Sequence, residues 1–209
     1  MTTNLVLKKL RLDEKEFVSS KEIKMLGDKL NYNSKNLINN LTYRGYLLRL
    51  FKGIFYVKTF DEIKLSKLNH SYLELTSSGL KLRGITNWYF GLYTALKLNT
   101  TTHEYFAVDY VINDTLFRPK PITIADHKIK FVKVNSKLFN FGIEKNNINY
   151  SDLEKTILDF IYLWRYNGRT KEKILMDISE YTTRVSKTKI REYSEHYPKS
   201  VKKILDELI

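Results

Sequence analysis

Cysteine is absent from the 209-residue chain, which excludes a disulfide framework, a thiolate zinc site and a cysteine nucleophile together. No apolar run approaches the ~20 residues that a membrane-spanning helix needs. The stretch from Met1 to Leu12 has no signal-peptide hydrophobic core, so a cytoplasmic location is the default expectation. Also missing are a P-loop, a G-x-G-x-x-G, a G-x-S-x-G and an H-E-x-x-H. His70, His103, His127 and His196 stand too far apart to form a local metal motif. No cofactor, internal repeat or low-complexity tract is expected.

What the chain has in excess is positive charge. Lys and Arg number 36 against 23 Asp and Glu, a formal net charge of +13. Residues 1–60 hold 12 basic and 5 acidic residues, so +7 of the excess lies in the first 60 positions. Charge concentrated on one module is an electrostatic footprint for phosphate, although a solvated Lys-rich surface gives the same total. The hydrophobic share of 43% supports a sizeable core.

Periodicity then gives the order of elements. Leu5, Val6, Leu7, Leu10 and Leu12 form a helical stripe, and Ser19 with Glu22 has the spacing of a capping box. The helix after it carries Ile23, Leu26 and Leu30. Ser34 offers an N-cap for the next, which buries Leu37, Ile38 and Leu41 and ends at Gly45. Two β-rich runs between Tyr46 and Val57 bracket Lys52-Gly53, the mark of a hairpin. Helix, helix, turn, helix, hairpin is the order of a winged helix-turn-helix.

Residues 1–59 are therefore expected to form a winged helix and residues 60–209 a larger mixed domain ending in helices, an α+β chain overall. In the second part, residues 59–71 read as a connecting helix or linker and 74–83 as a strand-turn-strand. Thr86-Asn87 reads as the cap of a helix through Trp88 and Leu96. β-type runs follow at 105–112, 122–125 and 129–134. Ser151 and Glu154 suggest a second capping box, and Val201, Ile204, Leu205 and Leu208 a final helix after Pro198.

Angular position selects the candidate site. With Leu37, Ile38 and Leu41 buried, Asn36, Asn39 and Tyr43 point the opposite way, flanked by Lys35 and Asn40. Asn amides suit adenine edges, and Lys35 suits guanine or phosphate. Asn is a poor helix former, so several on one helix call for a reason, unless it is the abundance of Asn throughout the chain. Arg49 and Lys52 on the hairpin, Arg44 at the edge of the helix's buried face, and Lys21 and Ser34 at helix starts complete a set suited to double-stranded DNA. The 15 Tyr and 11 Phe fall mostly in apolar periodic runs, which assigns them to cores and a subunit interface rather than to base stacking. Asp126-His127-Lys128 has the D-x-K form of some metal-dependent nucleases, with Asp109 or Asp114 as an upstream carboxylate. The triplet is common by chance.

Three blocks in order resemble the AbiEi-type antitoxins. Gly45-Tyr46-Leu47-Leu48-Arg49 through Gly53-Ile54-Phe55-Tyr56 looks like that family's Gly-x-Leu-x-Arg-x-x-x-Gly-x-Tyr stretch. Tyr89-Phe90-Gly91-Leu92-Tyr93 is similar to the opening of its second domain, and Glu154-Lys155 with Asp159 resembles its Glu-Lys-x-x-x-Asp helix. The resemblance implies an antitoxin and autoregulating repressor that binds repeats in its own promoter. It also implies a nucleotidyltransferase-like toxin encoded beside it, and roles in phage defence or plasmid maintenance. Arg49 and Lys52 fall at the basic wing positions. Lys155 and Asp159 fall on a helix whose role reads as structural, an i, i+4 pair. A palindromic site would suit a homodimer. The alternatives are a stand-alone transcription factor and a nuclease aimed at DNA by the winged helix.

Overall fold

The computed structural model describes residues 2–209. Its contacts divide the chain into two compact units: the residues up to Gly84 with Thr123–Asp126, and Ile85–Ile122 with His127–Ile209. Ten helices and two sheets among the described residues make the architecture α+β.

The first unit opens with α1 (Thr2–Leu12). Val6, Leu7 and Leu10 are buried, whereas Leu5 and Leu12 are 53% and 70% exposed. At about 100° per residue those two lie nearly in line on the side away from Val6 and Leu10. The apolar stripe is thus narrower than composition suggests. Helix α2 (Ser20–Asp28) carries the expected capping box: Ser19 Oγ accepts the Glu22 amide at 3.2 Å and the Glu22 carboxylate accepts the Ser19 amide at 2.8 Å. The helix stops at Asp28, leaving Leu30 outside it and 41% exposed.

The cap of α3 (Ser34–Tyr43) is Asn33 and not Ser34. Asn33 Oδ1 accepts the amides of Lys35 and Asn36 at 3.0 and 3.1 Å, and Ser34 becomes the first helical residue. Asn ranks with the strongest capping residues, and it stands one position earlier. The helix closes at Arg44, after which Gly45 takes φ +73. The Gly45 amide then reaches Thr42 O and the Tyr46 amide Leu41 O, a closure that favours a residue without Cβ.

Strands β1 (Phe17–Ser19), β2 (Leu47–Phe51) and β3 (Ile54–Val57) form an antiparallel sheet in the order β1-β3-β2. Its inner side joins Val18, Leu47, Phe55 and Val57 to Ile23, Leu37, Leu41 and the buried side of α1 in one core. Two further helices follow, α4 (Phe60–Leu65) and α5 (Tyr72–Leu82). The second replaces the expected strand-turn-strand at 74–83. A Ser71–Glu74 capping box starts it, and Leu75, Thr76, Gly79 and Leu80 are buried at helical spacing. Gly79 reads as turn punctuation but serves close packing: a Cβ there would come within 2.6 Å of the Phe51 ring.

In the second unit, Trp88–Phe90 form strand β4, not the start of a helix. Three consecutive aromatics, all buried, fit a central strand covered on both faces. Helix α6 (Leu92–Leu98) begins only after Gly91. Strands β5 (Asp109–Asn113), β6 (Ile122–Ile124, of which Thr123 and Ile124 are grouped with the first unit), β7 (His127–Lys133), β8 (Ile143–Lys145) and β9 (Asn149–Ser151) complete a mixed sheet of order β6-β7-β5-β4-β9-β8. Strand β4 runs antiparallel to β5 and parallel to β9, and β5 runs parallel to β7.

Helix α7 (Leu153–Tyr166) is buried on nearly every side. Helices α8 (Lys171–Ile178), α9 (Lys187–Ser194) and α10 (Lys199–Leu208) pack against it through Ile174, Ile178, Ile190, Val201, Ile204 and Leu205. Ser151 does not cap α7. It belongs to β9, and Asp152 accepts the Lys155 amide at 2.8 Å instead. Glu154 is thereby released from the capping role and accepts the Ser186 amide at 2.9 Å.

Candidate functional site

In the first unit the core residues Leu37 and Leu41 fix the rotation of α3. Lys35, Asn36, Asn39, Asn40, Tyr43 and Arg44 all stand on its exposed side, with Tyr43 93% exposed, while Ser34 is half-buried. Asn40 Nδ2 donates to the Tyr32 hydroxyl at 3.4 Å, a contact that steadies one amide of the row. No Asp or Glu occurs between Asp28 and Asp61, so the whole of α3 and the hairpin is free of acidic side chains.

The hairpin adds two exposed cations. Arg49 lies on β2 opposite Phe55, with its guanidinium 5.5 Å from that ring, and Lys52 sits in the turn before Gly53. The Ser20 amide donates to Gly53 O at 2.8 Å, which ties the hairpin turn to the start of α2, where Lys21 is exposed. The backbones that carry the cations of the hairpin and of α2 are therefore joined by a hydrogen bond.

Behind the sheet, Glu62 anchors α4. Its carboxylate accepts the Tyr56 hydroxyl and the amides of Thr59 and Asn69, each at 2.7 Å. Burial pushes its pKa up, but the hydrogen bonds from Asn69, Tyr56 and Thr59 together hold it below the usual carboxylate range.

The second unit holds a buried polar cluster on α7. Lys155 and Asp159 are 0% and 1% exposed, with Nζ 3.6 Å from Oδ1. The Tyr89 hydroxyl donates to Asp159 Oδ2 at 2.8 Å and the Tyr197 hydroxyl to Oδ1 at 2.6 Å. The ammonium donates to the Tyr197 hydroxyl at 3.2 Å and lies 4.5 Å from the centre of the Phe141 ring and 4.8 Å from that of Tyr89. Burial holds Lys155 below the ordinary lysine range against the pull of Asp159. It raises both tyrosines, and Asp159 raises them further. Spacing alone identifies the i, i+4 pair. The burial and the two tyrosines, 70 and 38 residues from Asp159, escape it. The available signal was that α7 is apolar nearly all round, which places any charge on it in the interior.

The D-x-K triplet occupies the β6–β7 turn, where Ala125 and Asp126 both adopt positive φ. Asp109 is engaged elsewhere, accepting from Lys97 at 3.0 Å and Thr94 at 3.1 Å. Asp114 accepts from Asn87 at 2.7 Å. Among the described residues no group of three His, Asp or Glu is placed to hold a metal ion, and no helix is long and apolar enough to cross a membrane.

The class defined by these elements is an α+β chain of two units, one presenting a helix and hairpin free of acidic residues. No family model matches the chain, and no curated protein matches it. Three chains of solved structures do match. One is the crystal structure of the Rv2827c protein from Mycobacterium tuberculosis, at 10% sequence identity and a TM-score of 0.62. The match covers 99% of this chain and 75% of that one. At that identity the likeness shows the fold alone.

Proposed function

We propose that the first unit is a winged helix-turn-helix and that the chain is a DNA-binding transcriptional repressor without catalytic activity of its own. The observation that carries the reading is the row Lys35, Asn36, Asn39, Asn40, Tyr43 and Arg44 on the exposed side of α3, followed in the chain by the exposed Arg49 and Lys52 and with no carboxylate among them. In this reading α3 enters the major groove, its amides meeting base edges while Lys35 and Arg44 meet phosphate. The β2–β3 hairpin is the wing, with Arg49 and Lys52 on the backbone or in the adjacent minor groove. Lys21 and the amides at the start of α2 add a phosphate contact.

The ordered sequence blocks shared with AbiEi-type antitoxins support a narrower form of the proposal. The repressor would bind repeats in its own promoter as a two-fold pair and would neutralise a nucleotidyltransferase-like toxin, acting in the cytoplasm in phage defence.

Titration of a fluorescent promoter duplex at several salt concentrations tests the DNA-binding reading. Arg49→Ala with Lys52→Ala is expected to weaken binding about equally for all sequences and to reduce the salt slope by about 2, roughly one per cation removed. Asn36→Ala with Asn39→Ala is expected to lower discrimination between sites by about 1–3 kcal/mol. Wild-type affinity in the Arg49/Lys52 double variant sinks the wing assignment. For the antitoxin role, co-expression with the neighbouring gene product should relieve toxicity, and continued arrest in its presence removes that part of the proposal.

A further inference from the structure

The second unit carries a feature that its core does not explain. A cleft of about 610 Å³ lies between β7 and the C-terminal end of α7. Among its walls are Phe117, Lys130, Lys133, Tyr162, Tyr166 and Asn167, and no Asp or Glu lines it. Phe117 and Tyr166 are 67% and 80% exposed, so two large rings stand open to solvent at a basic cleft. We propose that this cleft binds single-stranded nucleic acid, with bases stacked on Tyr166 and Phe117 and phosphates held by Lys130 and Lys133. The proposal stands independently of the winged-helix reading, because every residue it uses belongs to the other unit.

Three observations support it. The first is charge. Residues 117–137 hold six basic side chains against Asp126 alone, a local excess of +5. The chain beyond residue 60 carries +6, so nearly all of that charge is concentrated in the one segment that supplies β7. A solvated surface has no need of such clustering, whereas a polyanion does.

The second is the pairing of cations with aromatic faces. Binding of single strands without sequence readout uses cations along the backbone and rings on which bases stack. Lys130 donates to the Pro119 carbonyl. An ammonium has three donors, so two remain for phosphate oxygens, and the contact with Pro119 fixes where they point.

The third is polarity along the cleft. The last carbonyls of α7, which ends at Tyr166, give that end partial negative charge. Phosphate is disfavoured there and a neutral base is not. This orients the strand, with bases toward Tyr166 and backbone toward the lysines of β7. The openness of both rings favours a chain that continues past the cleft over an enclosed mononucleotide.

The test uses the full chain in an Arg49→Ala/Lys52→Ala background, which reduces any contribution from the hairpin. Anisotropy of fluorescein-labelled 12-nucleotide oligo-dT and oligo-rU at low salt reads binding. Tyr166→Ala is expected to weaken it about fivefold or more, the range for loss of one base stack. Lys130→Glu with Lys133→Glu should weaken it further and flatten its salt dependence. Tyr166→Trp should retain binding and add an emission component that is quenched on saturation. In the otherwise wild-type chain, Tyr166→Ala should leave promoter-duplex affinity within about twofold.

Oligomer binding unchanged by both Tyr166→Ala and the lysine pair overturns the proposal. So does equal displacement by uridine monophosphate at matched nucleotide concentration, which would make the cleft a small-molecule site. An equal loss of duplex binding in Tyr166→Ala overturns it as well. Failure of promoter binding with intact oligomer binding sinks the winged-helix reading and leaves this one standing.

Discussion

Replacing Lys155 with Met tests how the second unit carries a charge pair in its interior. Met keeps most of the aliphatic stem, so the chief loss is the ammonium 3.6 Å from Asp159 Oδ1. Asp159 is then a carboxylate at 1% exposure with no counter-charge, still receiving the hydroxyls of Tyr89 and Tyr197. Removing one partner of a buried pair costs about 3–5 kcal/mol. The two surviving donors place this case near the lower end, about 3 kcal/mol. Lys155→Met combined with Asp159→Asn removes both charges and leaves the tyrosines an acceptor, so at least about half of the loss should return. Trp88 and Trp164 are both buried in this unit, and no other tryptophan occurs. Tryptophan emission in urea therefore reports this unit alone, and with a slope of about 2 kcal/mol per molar the midpoint should fall by about 1.5 M. A single variant as stable as wild type, or a double variant no better than the single, refutes the reasoning.

The same pair gives a pH dependence of determined sign. Burial holds Lys155 below its unfolded value of 10.5. Between the two values the unfolded chain binds more protons than the fold, so stability rises with pH. Tyr89 and Tyr197 are raised instead, by burial first and Asp159 second. They oppose the gain only above about 10, where the unfolded chain ionises them and the fold does not. Wild type should thus gain stability as pH rises toward 10, and Lys155→Met should lack that gain.

Two further predictions concern the first unit. Asn33→Ala should cost about 1 kcal/mol by circular dichroism melting and Ser34→Ala much less, because the capping oxygen belongs to Asn33; equal losses would return the cap to Ser34. Glu62→Gln should destabilise the unit by about 1–3 kcal/mol at neutral pH, since the Tyr56 hydroxyl and two backbone amides lose a charged acceptor. Glu62 is held below 4.5 in the fold, so its contribution is complete above 4.5 and is lost as pH falls through the folded value. The variant should be less acid-sensitive than wild type, and an unchanged acid midpoint would show that Glu62 does not govern it.

How legible these features were in the sequence depends on how local their causes are. The Ser19–Glu22 box, the hairpin at Lys52-Gly53 and the buried side of α3 rest on residues within four positions of one another, and each has the expected form, except that Ile38 on α3 is only partly buried. The helix at 72–82 is hidden from local reading because Ser77-Ser78-Gly79 resembles a turn, while the reason for Gly79 is a ring 28 residues away. Trp88–Phe90 is hidden in the same way: Thr86-Asn87 is a good cap in isolation, but the central place in the sheet decides for a strand. On α7 the competing caps were both local, and Asp152 prevails because Ser151 is held in β9. The open cleft beside β7 was invisible because its rings come from segments 45 or more residues apart, Phe117 from one and Tyr162 and Tyr166 from another.

Charge shows the same limit of local reading, with a consequence for function. The excess of +7 in the first 60 residues reads as a single footprint, and the remaining +6 as background. Resolved by segment, +5 of that background falls in residues 117–137, which leaves the other 128 residues of the chain at +1. A Lys-rich composition spread for solubility would not leave most of the chain almost neutral. The chain thus has two basic stretches of sequence, one free of acid on α3 and the hairpin and one beside open aromatic rings on β7, and Arg49 and Lys52 belong to one unit while Lys130 and Lys133 belong to the other. Each should add its own salt slope to binding, so charge reversal at Lys130 and Lys133 and removal of Arg49 and Lys52 should act additively and on different nucleic acids.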